Sequence, residues 1–233
     1  SGPNAGKILQ DAGIDFDLSP TDFPFMSMKE GHIGGLAARI FRISFTGELS
    51  YEINVAARHG LALWNCLMAA GKAHGITPYG TEAMHVLRAE KGFIIVGQET
   101  DGSVTPQDLG MDWIVSKVKP DFIGKRALAR GSMSAEDRKQ LVGLRTKDRK
   151  TVIPEGAHAV LDPNQPMPME MLGQITSSYY SPNLGASIAM AMLKGGRALM
   201  GGTVYMPMLD GTLIEAEVVE PVFYDPKGER ING

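Results

Sequence analysis

The sequence is poor in cysteine and has no long apolar run. Its 233 residues include a single cysteine, Cys66, so no disulfide can form within the chain. A lone thiol is typical of a reducing compartment, and we therefore expect a cytoplasmic protein. No stretch approaches the roughly 18–20 apolar residues that a membrane-spanning helix needs. The first residues, SGPN, also lack the charged and then apolar pattern of a secretory signal.

The sequence also lacks an excess of charge of either sign. Lys and Arg number 23 and Asp and Glu 26, which gives a formal net charge of −3. Such a balance provides no electrostatic reason to expect a nucleic-acid or membrane partner. Apolar residues make up 43% and charged residues 21%, as in an ordinary soluble globular protein. A chain of this length exceeds the usual size of one domain and favours two compact units.

No methionine opens the chain. It begins with Ser-Gly-Pro, and Ile8 and Leu9 follow at once as the apolar side of a short helix. This beginning favours a piece of a longer protein. A short tag remnant in front of a natural start is the alternative.

Several common site motifs are missing. GPNAGK at residues 2–7 has three residues between its glycines and no Ser or Thr after its lysine, so it is not a phosphate-binding loop. No G-x-G-x-x-G turn occurs, and Cys66 lies among apolar residues as a structural thiol does. Ser177 and Ser178 lack the frame of a nucleophile elbow. The five histidines have no metal-ligand spacing, so we expect no metal site.

The first half of the chain mixes helical and strand patterns. Residues 19–35 are rich in turn formers and are interpreted as a surface connection. Two β-like runs, 39–45 and 51–55, flank Thr-Gly-Glu and predict a hairpin. Apolar residues at helical spacing predict a helix over 59–74, and a second helix is expected over 81–92.

The second half is dominated by short β-like runs. Residues 112–115 resemble a strand, 124–128 a short helix and 131–137 a linker. Gly/Pro turns then separate six short β-like runs, 141–145, 157–161, 173–176, 187–192, 203–206 and 213–219. No clear helical pattern intervenes, so we predict a small antiparallel barrel or sandwich.

Three stretches carry more information than the rest of the chain. They are FTGELSYE at 45–52, LRAEKG at 87–92 with GQE at 97–99 and Thr-Pro at 105–106, and GQITSSYYSPNLG at 173–185. Each alone has an ordinary explanation. The first can be a solvated turn, the second a charged helix end with ion pairs of about a few tenths of a kcal/mol, and the third a strand that ends in a turn.

In this order and spacing, the three stretches resemble the aminomethyltransferase family, whose type member is the glycine cleavage T-protein. The resemblance runs from Gly2 almost to the end and lacks the family's amino-terminal part. Residues 79–93 and 221–230 look like the branch formed by the α subunits of heterotetrameric sarcosine oxidases. Those complexes oxidise N-methylglycine on a flavin and pass the one-carbon unit to tetrahydrofolate. The resemblance implies an α+β fold, with the later part of the folate-binding core at 1–130 and a small antiparallel β-barrel at 135–233.

The resemblance also suggests site residues. The family's folate-binding glutamate matches Glu52, and the aromatic seven residues earlier, commonly tyrosine, is Phe45 here. Met84 stands where the T-protein has an arginine that it uses. Arg88 and Tyr224 are further candidates for the folate pocket. The family's catalytic aspartate belongs to the part that is not matched, so no catalytic residue is assigned.

The implied cofactor is tetrahydrofolate, with FAD, FMN and NAD expected elsewhere in the complex. The implied partners are the other sarcosine oxidase subunits and the small-molecule folate, with no nucleic acid and no membrane. Two alternatives stay open: a stand-alone aminomethyl- or methyltransferase, and a non-catalytic assembly module of a larger complex. A related branch that maintains iron–sulfur enzymes has a cysteine after Lys-Gly. The residue here is Phe93, which disfavours that branch.

Overall fold

The structure is a computed structural model that describes residues 1–232. The chain divides into two compact units. Unit 1 contains residues 1–88 and the C-terminal residues from Asp225 onward, and unit 2 contains Ala89–Tyr224. The boundaries predicted from the sequence, 1–130 and 135–233, stay a prediction.

Unit 1 is built on a three-stranded antiparallel sheet with strand order β1-β2-β3. The strands are β1 Ser27–Ile33, β2 Leu36–Arg42 and β3 Glu52–Val55. Its helices are α1 Ala5–Asp11, α2 Gly60–Gly71 and α3 Thr81–Glu90, of which α3 continues into unit 2 after Arg88. The predicted hairpin and both predicted helices are confirmed.

Strand β1 lies where the sequence predicted only a surface connection, so that part of the prediction was wrong. The glycine that resembled a turn former, Gly31, is paired within the ladder opposite Ala38. A Cβ at this position would lie 2.4 Å from Oδ1 of Asp15 and 2.8 Å from Cδ1 of Phe16. Gly31 therefore allows neighbouring side chains to approach the strand closely, as glycines inside strands often do.

The core of unit 1 lies between the sheet and helices α1 and α2. Alternate residues of β2 face it, and these include Ala38, Ile40 and the buried Arg42. From α2, Leu63 is buried, and Leu67 and Ala70 pack beside it at helical spacing. Further buried members of this core are Leu9, Ala12, Leu18, Phe23 and Ile33.

Unit 2 contains a six-stranded antiparallel β-barrel. The strand order is β5-β6-β7-β4-β9-β8. The strands are β4 Lys139–Thr146, β5 His158–Ala159, β6 Gly173–Ser181, β7 Ala186–Lys194, β8 Thr203–Pro207 and β9 Leu213–Val219. Val160, just after β5, exchanges two backbone hydrogen bonds of 2.8 and 3.0 Å with Tyr205 of β8 and so closes the sheet. The predicted α+β fold with an antiparallel barrel is confirmed.

The two faces of β7 explain the composition of unit 2. Ala189, Ala191 and Leu193 point into the barrel interior and pack with Val142, Leu144 and other buried aliphatic residues. The alternate residues Ile188, Met190 and Met192 pack on the outside of the barrel against a second layer. That layer includes Ala89, Ile94, Val104, Leu109 and Phe223. Because β7 is buried on both faces, the segment from residue 89 to residue 110 folds with the barrel.

In the sequence, the stretch that follows the outer layer and precedes β4 contains only short helical turns. The predicted short helix is confirmed as α4, Lys125–Leu128. The predicted strand at 112–115 was wrong, since Asp112–Ile114 forms a 3-10 turn. The side chains of Trp113 and Ile114 are exposed there, and no strand within residues 1–232 pairs with this run. Aromatic and branched residues raise strand propensity, but a strand also needs a paired neighbour.

Two segments of unit 2 should be cut first in limited proteolysis. Residues 131–137 and 154–168 are mostly exposed and, apart from the short β5, lack regular strands. Exposed irregular segments are the preferred sites of proteolytic cleavage. Mass spectrometry of early fragments should find cuts in these ranges, whereas early cleavage inside Leu61–Met68 of α2 would contradict this division.

Within residues 1–232, none of the helices combines the length and the apolar character that crossing a bilayer requires.

Candidate functional site

The loop that joins β2 to β3 ends in the predicted folate-binding glutamate. Glu52 is the first residue of β3, pairs with Phe41 of β2 and is exposed. Tyr51, the residue before it, points the opposite way and stacks on Phe23 with ring centroids 6.1 Å apart. Burial raises the pKa of the Tyr51 hydroxyl, although the nearby Arg42 opposes that rise. The strand alternation therefore anchors Tyr51 in the core and places the Glu52 side chain on the opposite, exposed side of the strand.

Contacts at two adjacent residues hold the β2–β3 loop in place. The Gly2 amide donates a hydrogen bond of 2.8 Å to the Leu49 carbonyl, and Leu49 is buried. Glu48 forms an ion pair with Arg230, which belongs to the same unit. The loop is therefore an ordered part of unit 1.

The four predicted pocket residues lie in different surroundings. Phe45 is 36% exposed and lies in the same loop that precedes Glu52. The Glu52 carboxylate accepts a 3.2 Å hydrogen bond from the Asn54 amide group. The Arg88 side chain is fully buried near the end of α3. Phe45, Glu52 and Arg88 belong to unit 1 and Tyr224 to unit 2, and the role of all four in a pocket stays a prediction.

Arg42 is a feature of this unit that the sequence did not reveal. Its side chain is 1% exposed, and its Nη1 donates a 2.7 Å hydrogen bond to the Phe23 carbonyl. Its Nε is buried and has no hydrogen-bond partner in the structure. The run ARIFRI is an ordinary strand pattern with two cations, and nothing in it distinguishes the buried Arg42 from the exposed Arg39.

Two cavities of unit 1 are lined by residues other than the four predicted ones. An open groove of about 590 Å³ on the sheet is lined by Glu30, His32, Arg39 and Asn54, among others. A cleft of about 520 Å³ is lined by residues that include Trp64, His74 and Tyr79. Neither Glu52 nor Phe45 lines either cavity. Within residues 1–232, no cluster of His, Cys, Asp or Glu side chains is placed to hold a metal ion.

In unit 2, the structure brings together the second and third informative stretches. Glu90, at the end of α3, accepts hydrogen bonds from Ser181 and Asn183 at the end of β6. Glu99 accepts a 2.5 Å hydrogen bond from the hydroxyl of Ser177. Both carboxylates are buried, with exposures of 2% and 1%. These motif residues therefore join the outer layer of unit 2 to its barrel.

The buried Asp108 and the partly exposed Arg138 form a second connection in unit 2. Nε of Arg138 donates to Oδ1 of Asp108 at 2.9 Å, and Nη2 donates to Oδ2 at 2.5 Å. Arg138 also donates to the carbonyls of Ser103 and Ser132. Burial by itself would raise the pKa of Asp108, but hydrogen bonds from Arg138 and Thr105 outweigh it and hold that pKa below its usual range. The pair fixes the outer layer beside the first strand of the barrel.

Gly92 marks a close approach within unit 2 that only glycine allows. Its φ is +66°, and a Cβ there would lie 2.6 Å from the carbonyl oxygen of Pro221.

We expect Gly92→Ala to destabilise the protein by about 1–3 kcal/mol more than Gly97→Ala, because only the former adds a backbone clash to the strain of positive φ. Gly97 has a φ of +95° and open space around its Cβ position. Equal losses in urea unfolding would contradict this.

Comparison with known proteins places the chain beside two groups of enzymes. The GCVT N-terminal domain model matches residues 1–119, and the glycine cleavage T-protein C-terminal barrel model matches 139–225. The chain is 47% identical to a sarcosine oxidase subunit alpha from a Corynebacterium species and 41% identical to one from Rhizobium meliloti. Each match covers 100% of the chain but 24% of the relative. The chain thus spans about a quarter of the length of these relatives.

The similarity extends to aminomethyltransferases. The one from Halothermothrix orenii is 32% identical over 95% of the chain and 59% of its own length. The crystal structure of the glycine cleavage system aminomethyltransferase T from Bartonella henselae superposes with a TM-score of 0.81 at 26% identity. It covers 97% of the chain, and the chain covers 58% of it. The resemblance predicted from the motifs is confirmed.

Proposed function

The chain belongs to the glycine cleavage T-protein (aminomethyltransferase) family, and from this premise we propose that it is the folate-binding part of a sarcosine oxidase. In this role it passes the one-carbon unit from oxidised N-methylglycine to tetrahydrofolate, which gives methylene-tetrahydrofolate. The observation that carries the proposal is the match to sarcosine oxidase alpha subunits over the entire chain. A cytoplasmic location and assembly with other subunits belong to the same proposal.

The residues of the β2–β3 hairpin suit a folate. A pterin ring presents an N–H and an amino group side by side, and one carboxylate can accept both hydrogen bonds. Glu52 offers such a carboxylate, exposed on a strand whose neighbouring residue Tyr51 is fixed in the core. The partly exposed ring of Phe45 offers a face on which the pterin can stack, without the hydroxyl that a tyrosine would add.

The contribution of this chain to the reaction is to bind and orient the one-carbon acceptor. Tetrahydrofolate supplies a nucleophilic nitrogen when it is bound. The chain would hold that nitrogen next to the oxidised amine. The reaction rate rises because the two reacting groups are already positioned and need not meet by diffusion. We assign acid–base catalysis to a carboxylate of the amino-terminal family region. The FAD, FMN and NAD sites are assigned to other segments or subunits of the complex.

A titration of the parent protein, purified with its partner subunits, tests the proposal. Calorimetry should show saturable binding of tetrahydrofolate, and turnover of sarcosine should yield methylene-tetrahydrofolate in place of free formaldehyde. Absence of tetrahydrofolate binding in an intact, sarcosine-oxidising complex would refute the folate role.

Two alternatives have their own support. The match to aminomethyltransferases over nearly the whole chain favours a stand-alone aminomethyl- or methyltransferase. A dinucleotide-binding region encoded in the same gene would decide against it.

Phe45 and Met84, which depart from the family pattern, favour a non-catalytic assembly module. A complex that assembles normally around this chain but never binds folate would establish that alternative.

The 233-residue chain alone should not oxidise sarcosine. Its sequence contains no dinucleotide-binding glycine turn that could hold the flavin. The resemblance assigns the family's catalytic aspartate to the amino-terminal part that this chain does not match. An oxygen electrode and a peroxide assay with the purified chain and sarcosine should both record background rates. Sustained oxygen consumption would place the oxidase within this chain and overturn the division of labour proposed above.

A further inference from the structure

A groove on the outside of the barrel in unit 2 follows the strands β4, β9 and β8. Leu144 of β4 and Ala216 and Val218 of β9 face the barrel interior. Because side chains alternate along a strand, the residues between them face outward. The groove has a volume of about 350 Å³, and its charged lining residues are Arg145, Lys147, Arg149, Glu215 and Glu217. We call it the β4–β9 groove.

Two of the three cations in the β4–β9 groove have no partner for their side chains within residues 1–232. Lys147 is paired with Glu215 at 3.0 Å. The guanidinium groups of Arg145 and Arg149 donate no hydrogen bond and form no ion pair in that range. Glu217 lies opposite Arg145 in the register of the two strands but is not bonded to it. The groove therefore has an excess of one positive charge and two guanidinium groups open to a ligand.

The backbone of Arg149 has a conformation that favours glycine. Its φ is +58°, in the left-handed region that other residues rarely adopt. Its amide donates a 3.0 Å hydrogen bond to the Thr146 carbonyl, and its carbonyl accepts a 2.9 Å bond from the Ser187 amide. The Asp148 carboxylate accepts two further backbone amides of the same turn at 3.0 Å. The turn is thus held in place, and strained residues of this kind cluster at binding sites.

We propose that the β4–β9 groove binds a phosphate group between the guanidinium groups of Arg145 and Arg149. A guanidinium group donates two parallel N–H bonds to a phosphate, and two such groups match its several acceptor oxygens and its charge of nearly −2 at neutral pH. The groove lies in the lower part of the range of roughly 300–1,000 Å³ that small-molecule sites occupy. The site lies entirely within unit 2 and is independent of the proposed folate role.

Calorimetry on the 233-residue chain tests the proposal with inorganic phosphate and glycerol phosphate as probes, at an ionic strength held constant with sodium chloride. At least one probe should bind saturably. Arg145→Gln and Arg149→Gln should each weaken that binding roughly tenfold, or by about 1.4 kcal/mol. Arg39→Gln removes an exposed guanidinium group of unit 1 and should leave the affinity unchanged.

The two probes distinguish the source of the phosphate group. Tighter binding of glycerol phosphate would indicate a phosphate ester as the ligand, and tighter binding of inorganic phosphate would indicate the free ion. If neither probe binds, or if binding survives both arginine substitutions, the proposal is overturned.

Glu217→Gln should act in the opposite direction. It removes the carboxylate of the groove that is not paired with Lys147, so phosphate should bind roughly two- to fivefold more tightly once this repulsion between like charges is lost. An affinity that is unchanged or lower in the folded variant would show that phosphate binds elsewhere.

Arg149→Gly separates a binding role from a structural one. Glycine adopts a positive φ without strain, so the melting temperature measured without phosphate should not fall. The affinity for phosphate should decrease as in Arg149→Gln. A lower melting temperature with unchanged phosphate affinity would make Arg149 a structural residue of the turn and would overturn the proposal.

Discussion

Replacing Asp108 with asparagine should lower the stability of the protein by about 1–3 kcal/mol, because it removes the buried carboxylate that accepts hydrogen bonds from the partly exposed Arg138 guanidinium. The side chains of the pair are 5% and 17% exposed. Asp108 also accepts the Thr105 amide, and its carbonyl accepts the amide of Leu141 in β4. The change therefore affects the contact between the outer layer of unit 2 and the barrel. Urea unfolding at neutral pH measures the loss.

An exposed ion pair on the barrel provides the control. Lys147 and Glu215 approach to 3.0 Å, with side chains 81% and 38% exposed. Ion pairs of this kind contribute about 0–1 kcal/mol, so Lys147→Met should have a small effect. If Asp108→Asn were no more destabilising than Lys147→Met, the Asp108–Arg138 pair would not connect the two layers as described.

The effect of Asp108→Asn should disappear in acid. The folded state holds the pKa of Asp108 below its usual range, so the folded protein binds this proton less readily than the unfolded chain. The stabilisation is therefore fully present above the ordinary pKa of an aspartate, about 3.9, and is lost as the pH falls through the lower, folded-state pKa. Unfolding curves of wild type and mutant should converge over that range. A constant difference down to the lowest pH would contradict the assignment.

The barrel was predictable because its strands are separate, short and bounded by glycine and proline. What the sequence could not show is how the barrel closes. The bridge between Val160 and Tyr205 joins a two-residue strand to β8 across 45 residues, and no local pattern encodes such a pairing. Strand β1 was not predicted because glycine usually indicates a turn. In the fold, Gly31 lies inside the strand, and its missing side chain leaves space for Asp15 and Phe16.

The family motifs were recognisable, but their contacts were not. LRAEKG and the serine-rich stretch are separate features of the sequence, whereas in the fold Glu90 bonds to Ser181 across 91 residues and Glu99 to Ser177 across 78. Carboxylates in a charged helix end are usually solvated, so burial of Glu90 depends on the barrel that covers it. At 112–115 the predicted strand was wrong, because these strand-forming residues have no partner strand. Both results depend on tertiary contacts, which override local propensity.

The Glu52→Gln substitution should uncouple oxidation from one-carbon transfer in the parent complex. Charge-assisted hydrogen bonds contribute roughly 1.5–3 kcal/mol each, more than neutral ones. A glutamine keeps the shape of Glu52 but presents an NH₂ group to one of the two pterin donors. Tetrahydrofolate binding should weaken at least tenfold, or by about 1.4 kcal/mol. Sarcosine oxidation at the flavin should continue, and free formaldehyde should replace methylene-tetrahydrofolate as the product.

Glu30→Gln is the matched control for this experiment, since it neutralises another exposed carboxylate of the same sheet. Glu30 lies on β1 and pairs with Arg39, away from the β2–β3 loop. It should leave folate affinity and product unchanged, which would separate a specific contact of Glu52 from a general loss of negative charge. Because Glu52 is exposed and bonds to Asn54 of the same strand, its substitution should hardly change the melting temperature. Calorimetry that finds unaltered folate affinity in a folded Glu52→Gln complex would show that this carboxylate does not anchor the pterin.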